Sequence, residues 1–269
     1  MAVPSGVHRC FFRGQSVSLE KLLSIFASEV CEQVVFIGEN HEHSVAQQLE
    51  LRILEALWLS SQRQNRQLLL SLEFLDRSQQ HVLNEAMLRD EIESVVPEPY
   101  VPLVRFARTN NLAVLAANAP RSITSRVAKQ GQQAVMETLS PKERAWCAPT
   151  PWPAPSNAYS EAFQAIMQQV MRPDPSSAQA QQERMQRMLQ AQSLWDATMA
   201  FSIAEALERY PKAQVLHVTG FFHVANRLGT VEMLAHYRNT VNALVSIVYP
   251  EELQHSTSAL DGDVVIYAP

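Results

Sequence analysis

Val34-Val35-Phe36-Ile37-Gly38-Glu39-Asn40-His41 decides how the rest of this 269-residue chain is read. A run of β-branched and aromatic residues reads as a buried strand. It stops at a glycine, and a carboxylate, an amide and an imidazole follow at once. The pattern returns at Val215-Leu216-His217-Val218-Thr219, which runs into Gly220-Phe221-Phe222-His223, so both strands end in Gly-x-x-His. Between them, Leu68-Leu69-Leu70-Ser71-Leu72 ends at Glu73, and Leu112-Ala113-Val114-Leu115-Ala116-Ala117 ends at Asn118. Four apolar runs thus deliver polar residues at their C-terminal ends, the edge of an open α/β sheet where ligands bind.

Helical periodicity fills the gaps between these runs. Leu19, Leu22, Leu23 and Phe26 share a face within 18–29. Val45, Leu49, Ile53 and Leu57 recur at four-residue steps after Ser44-x-x-Gln47, which resembles a capping box. A helix starting there would aim its N-terminal amides at whatever Glu39 and His41 hold. Further helices are expected after Asp76, over 101–110, 121–130, from Ser140-Pro141, over 157–171 and 177–210, and near 224–237. Strands at 241–249 and 264–267 follow. The βαβαβ alternation implies parallel strands with right-handed crossovers. The expected fold class is α/β, a mainly parallel central sheet with helices on both faces. One domain is expected over 1–269, with a helical insertion at about 140–190 lying near the sheet's C-terminal edge. Prolines 149, 151, 153 and 155 make a loop within that insertion, and Arg172-Pro173-Asp174-Pro175 breaks its helices.

Composition excludes several functions. Hydrophobic residues make up 46% and charged residues 18%, a balance that buries a sizeable core. The net charge of −5 comes without any Lys/Arg block, so nucleic-acid binding has no electrostatic support. Three cysteines, Cys10, Cys31 and Cys147, form no Cys-x-x-Cys pair, which argues against a disulfide framework or thiolate zinc site and for a reducing compartment. No apolar run is long enough for a membrane span. Met1 to Arg13 lacks an apolar stretch, and Cys10 follows His8-Arg9, so neither a secretory signal nor a lipidation site is expected. The localisation expected is cytoplasmic. Glycine is scarce, seven in all, and two sit in the Gly-x-x-His turns, implying positive φ or a close approach there.

Glu39, His41, Glu73 and His223 form the candidate site. Two imidazoles and two carboxylates on separate strands can bind a divalent metal or act as a general acid/base set, since a carboxylate beside a histidine fixes its tautomer. The alternative is that the acids cap helices and the histidines pack in loops. Asn118 either orients a substrate or makes ordinary turn contacts. Asp196 stands among Leu194, Trp195, Ala197, Met199 and Ala200, where burial without a partner is costly. It either bonds the Gly-x-x-His turn or lies on the surface. His43 is expected on a solvated surface, and His217 as a satisfied core histidine. His8, His81, His236 and His255 have no constellation around them.

Gly38-Glu39-Asn40-His41, Leu72-Glu73-Phe74, Ala116-Ala117-Asn118-Ala119-Pro120-Arg121, Leu194 through Ala200 and Gly220-Phe221-Phe222-His223, in that order, resemble the ChaN-like haem-binding family, which belongs with Tiki proteases and erythromycin esterases. The resemblance covers about Gly14 to Pro269. It implies a haem or tetrapyrrole ligand, a role in iron or haem handling, and a homodimer with haem at its interface. The Tiki-type relatives imply instead a metal-dependent hydrolase in which His41, His223, Glu73 and Glu39 act. No histidine lies between His81 and His217, so the insertion offers haem iron Tyr159 or a methionine (Met167, Met171, Met185, Met188), beside His41 and His223 at the strand ends.

Overall fold

The computed structural model describes residues 9–41, 43–170, 177–248 and 262–268. Among them the apolar runs become strands: β1 (Arg9–Phe12), β2 (Gln15–Val17), β3 (Val34–Glu39), β4 (Leu68–Asp76), β5 (Ala113–Asn118), β6 (Gln214–Gly220), β7 (Asn242–Val248) and β8 (Val264–Tyr267). The helices are α1 (Leu19–Ser28), α2 (Ser44–Arg63), α3 (Gln80–Arg89), α4 (Val101–Thr109), α5 (Arg121–Gln130), α6 (Gln132–Thr138), α7 (Pro141–Ala145), α8 (Asn157–Val170), α9 (Ala178–Arg209) and α10 (Thr230–Tyr237). The sequence reading placed β3, β5, β6 and β7 within a residue or two and ended β4 at Glu73, three residues short of Asp76. It missed the β1–β2 hairpin, whose short strands carry little alternation and whose turn is made by Arg13 and Gly14, both at positive φ. The helix expected near 224–237 forms only from Thr230. Tyr249, Met171, the 172–175 breaker, His8 and His255 lie outside the described residues.

The strands make one sheet in the order β2-β1-β8-β7-β3-β6-β4-β5. From β8 to β5 neighbours run parallel, and the β1–β2 hairpin is antiparallel to β8. Strand alternation sends successive side chains to opposite faces. Val35 and Ile37 pack with Leu22, Phe26, Leu49 and Ile53 of α1 and α2. Val34 and Phe36 pack with Ile123, Leu194, Ile203 and Leu234 of α5, α9 and α10. Helices therefore cover both faces of an almost wholly apolar sheet, the arrangement that parallel strands require.

Strand order positions the site. The chain crosses from β3 through α2 to β4 but leaves a gap, and β6, returning from α9, fills it. The register sets Glu39 beside Gly220 and Leu72 beside Val218. The ends of β3, β6 and β4 are thus level and adjacent. After β6 the chain moves to the far side of β3, so the crevice over β3 and β6 is a topological switch point. The C-terminal half of α9 is buried from Ala191 to Leu207, whereas residues near its start are exposed. Helix α8 lies over the same sheet edge, inserting Tyr159 and Phe163 against Phe222.

Candidate functional site

The two glycines of the repeated motif keep negative φ and serve close approach instead. A Cβ on Gly220 would stand 2.9 Å from the His41 ring and 3.6 Å from Glu73 Oε2. A Cβ on Gly38 would meet Val224 Cγ2 at 2.6 Å. Each glycine therefore clears room for the other strand's exit: Gly220 for the first histidine, Gly38 for the segment that follows the second.

His41, Glu39, Glu73, His223 and Asp196 come together, but the two histidines meet different fates. The His41 side chain is 54% exposed and its Nδ1 lies 3.2 Å from Glu39 Oε1. The Glu39 hydrogen bond, opposed by burial and helped by the charges of Glu73 and Glu39, raises the His41 pKa. Among the described residues His41 Nε2 makes no hydrogen bond, and the ring meets Phe74 edge-on at 5.3 Å. His223 is buried. Its Nδ1 donates to Asp196 Oδ1 at 2.8 Å and its Nε2 lies 3.3 Å from Glu73 Oε1. Burial alone would push His223 down, but Glu73 and Asp196 on either side hold it well above its ordinary value, as an imidazolium.

Both flanking carboxylates are themselves fully engaged. Glu73 Oε2 accepts from the Thr219 hydroxyl at 2.5 Å and the Gly220 amide at 2.6 Å. Burial would raise its pKa, yet His223, Thr219 and Gly220 together hold it far below the usual carboxylate range. Asp196 is wholly buried and accepts from His223, from Thr230 Oγ1 at 2.8 Å and from the Tyr159 hydroxyl. The expectation that Asp196 bonds the Gly-x-x-His turn is therefore met at His223 itself. Tyr159, one of the residues held as a haem ligand, is buried with its hydroxyl donated to Asp196, and burial followed by the Asp196 charge raises its pKa. Met167, Met185 and Met188 are half-buried.

Three residues the sequence did not single out complete the site. Tyr100 Oη donates to Glu39 Oε1 at 2.6 Å and its ring stacks on Phe74 at 3.6 Å. Glu50, fully buried on α2, stands close to Glu39; burial first and the Glu39 charge second raise its pKa well above the carboxylate range. Thr219 anchors Glu73. Glu50 had a signal: it falls on the Ala46–Ile53–Leu57 face of an otherwise apolar stripe. Tyr100 had none, lying in a proline-rich turn.

Two expectations are corrected. His43 is no surface residue: it is buried as the N-cap of α2, accepting from the Ala46 amide at 2.8 Å while its Nε2 meets the Ala268 carbonyl at 3.1 Å. It, not Ser44, caps the helix, and it takes up an amide that would otherwise face a ligand. Asn118 spends its Oδ1 on the Ala119 amide at 2.9 Å, the turn contact of its two readings. His217 is buried in β6 with Nδ1 on Ser71 Oγ at 2.9 Å, and desolvation pushes it down to about 3, so it is neutral.

The donor set argues against a divalent metal on Glu39, His41, Glu73 and His223. Among the described residues no group of three or more His, Cys, Asp and Glu is placed to hold one. His223 lies with Nδ1 on Asp196 at 2.8 Å and Nε2 3.3 Å from Glu73, and as an imidazolium between the two it has no lone pair to offer.

Against known proteins, a family model described as "Haem-binding uptake, Tiki superfamily, ChaN" matches residues 29–234. The fold is similar to that in "Cofacial heme binding to ChaN of Campylobacter jejuni", with TM-score 0.72 and 15% identity over 99% of this chain and 98% of that one. The type III effector HopBA1 gives 0.48 with 13% identity over 98% of each chain. An erythromycin esterase mutant in its open conformation gives 0.43 with 11% identity over 87% of this chain and 74% of that one. At such identities the first likeness speaks for fold, and the other two are too distant to carry an argument. No curated protein matches the chain.

Proposed function

We propose, because this chain belongs to the ChaN family of haem-binding uptake proteins in the Tiki superfamily, that it binds haem or a related tetrapyrrole at the C-terminal edge of its sheet, with His41 facing the iron. The observation that carries this reading is the state of His41: half-exposed, Nδ1 bonded to a buried carboxylate and Nε2 uncommitted. A carboxylate on Nδ1–H fixes the tautomer and makes Nε2 a better donor to iron. Glu39 is itself anchored by the Tyr100 hydroxyl, so the imidazole is held from behind. Half-buried Phe74, Phe221, Phe222 and Trp195 near the same edge offer ring surface to a flat macrocycle. The donors fit haem through His41. His223 and Tyr159 fit less well, since their polar atoms are spent on Glu73 and Asp196.

Haem would be cargo or ligand here, in iron or haem handling. Among the described residues no helix is long and apolar enough to cross a membrane. The proposal extends to a cytoplasmic homodimer and to a single domain over the whole chain. Hydrolysis by Glu39, His41, Glu73 and His223 has weaker support. A carboxylate held as low as Glu73 is a poor base, and an imidazolium clamped by two carboxylates is slow to give up its proton.

Titration with hemin, followed by absorbance and light scattering, tests the reading. The expected result is a saturable Soret shift, weakened at least about tenfold, ~1.4 kcal/mol, in His41→Ala, and largely kept in Tyr159→Phe. Absence of any saturable Soret change in the wild type removes the proposal. Equal binding by His41→Ala removes the assigned ligand.

A further inference from the structure

Strand β5 ends the sheet, and among the described residues no strand covers its outer rim. A groove of about 880 Å³ runs along it, walled by α3 on one side and by α9 and Trp146 on the other. Inside it, the side chain of Gln80 lies on the strand. Gln80 Nε2 donates to the Val114 carbonyl at 2.9 Å, and Gln80 Oε1 accepts from the Ala116 amide at 2.8 Å. A primary amide thereby makes the two hydrogen bonds that a peptide unit of a neighbouring strand would make. Gln80 Nε2 also donates to exposed Asn84 at 3.0 Å. The cap is a single flexible side chain at the start of α3.

We propose that this groove takes up an extended, acidic peptide segment by strand addition to β5, with Gln80 swinging off the edge as the segment arrives. The rim is already receptive to backbone-like partners, as Gln80 demonstrates. By strand alternation the Val114 amide and Ala116 carbonyl face the same way and extend the ladder. Charge selects an acidic occupant. Three arginines, 77, 108 and 209, line the groove against one acid, Glu205. Arg77 is paired with Glu205 and Arg108 with Asp90. Arg209 sits over the Tyr210 ring at 5.4 Å and has no carboxylate partner among the described residues. Geometry selects a lone chain over a second copy of this protein. Val114 and Ala116 are 4% and 3% exposed, and two edges so recessed between helices would collide at their walls before their strands met.

The probe is a fluorescein-labelled seven-residue peptide of alternating Val and Glu, read by fluorescence anisotropy against the full chain. Saturable binding is expected. It should tighten about thirtyfold in Gln80→Ala, because two hydrogen bonds of about 1 kcal/mol each no longer compete. It should weaken several-fold in Arg209→Glu, a surface change that leaves the strand intact, and be lost when alternate peptide nitrogens are methylated. Three results overturn the proposal: no saturable binding to wild type or Gln80→Ala, equal binding of the methylated peptide, or a higher oligomeric state of Gln80→Ala than of wild type in light scattering, which would give the edge to a second copy.

Discussion

Asp196→Asn should destabilise the protein by about 3 kcal/mol at neutral pH. The side chain is wholly buried and accepts from His223, Thr230 and Tyr159. Asparagine keeps the shape but loses the charge, and it turns an amide donor toward one of three donors. Breaking a buried ion pair by removing one partner costs about 3–5 kcal/mol. The lower end applies because Glu73 still faces His223 from 3.3 Å. Three kcal/mol is a large part of a stability of about 5–15 kcal/mol and corresponds to a melting shift of roughly 6–12 °C. Urea unfolding followed by circular dichroism reads it as a lower midpoint with unchanged slope. The pH arm carries the sign. His223 has a folded pKa above its unfolded value, because Glu73 and Asp196 outweigh burial. Its contribution is therefore complete below the unfolded value of about 6.5 and lost as pH rises through the raised folded value. The gap between wild type and variant should be widest at neutral and mildly acidic pH and narrow in alkali. A destabilisation under about 1 kcal/mol, or a gap that widens with rising pH, would show that His223 is not held as a cation and would refute the reasoning.

The two glycines should separate under substitution. Gly38→Ala drives a methyl into Val224 at 2.6 Å within the core and should lower stability by about 1–3 kcal/mol in the same unfolding assay. In Gly220→Ala the methyl meets the movable His41 ring, so stability should change less while the hemin Soret shift weakens; the reverse ranking contradicts the assigned roles. His217, pushed down to about 3 by burial, should show no imidazole titration by NMR as pH falls from 7 to about 4. Because its folded pKa lies below its unfolded one, the unfolded chain takes up the proton first, and His217 should reduce stability by about 2 kcal/mol at pH ~5 relative to neutral. A His217 resonance that titrates near 6.5 counts against this.

How much was legible can be followed residue by residue. Strands β3, β4, β5 and β6 were plain because each is a short, nearly unbroken apolar run, and α2 and α9 because their apolar positions recur with the helical period. The polar ends of those runs were recognisable as a candidate site for the same local reason. Asp196 was detectable as an acid where the surrounding helix is apolar. Glu50 carried that signal too and was passed over among stronger ones. Tyr100 and Thr219 gave none, since an aromatic in a turn and a threonine in a strand are what propensity alone expects. His43 was misplaced because helix-face geometry was applied to a residue that precedes the helix and caps it.

Composition and periodicity by themselves determined that this chain builds a helix-covered parallel sheet, and that acids and imidazoles leave its strands at one edge, because burial of apolar stripes is a local, periodic demand. Which strands became neighbours was decided only in three dimensions. Strand β6 entering between β3 and β4 put Gly220 under His41 and Glu73 against His223. The same motif, written twice, then gave one histidine that is open to a ligand and one locked as a cation between two carboxylates. That difference arises from burial and from charges contributed by distant segments, which no local reading of Gly-x-x-His contains.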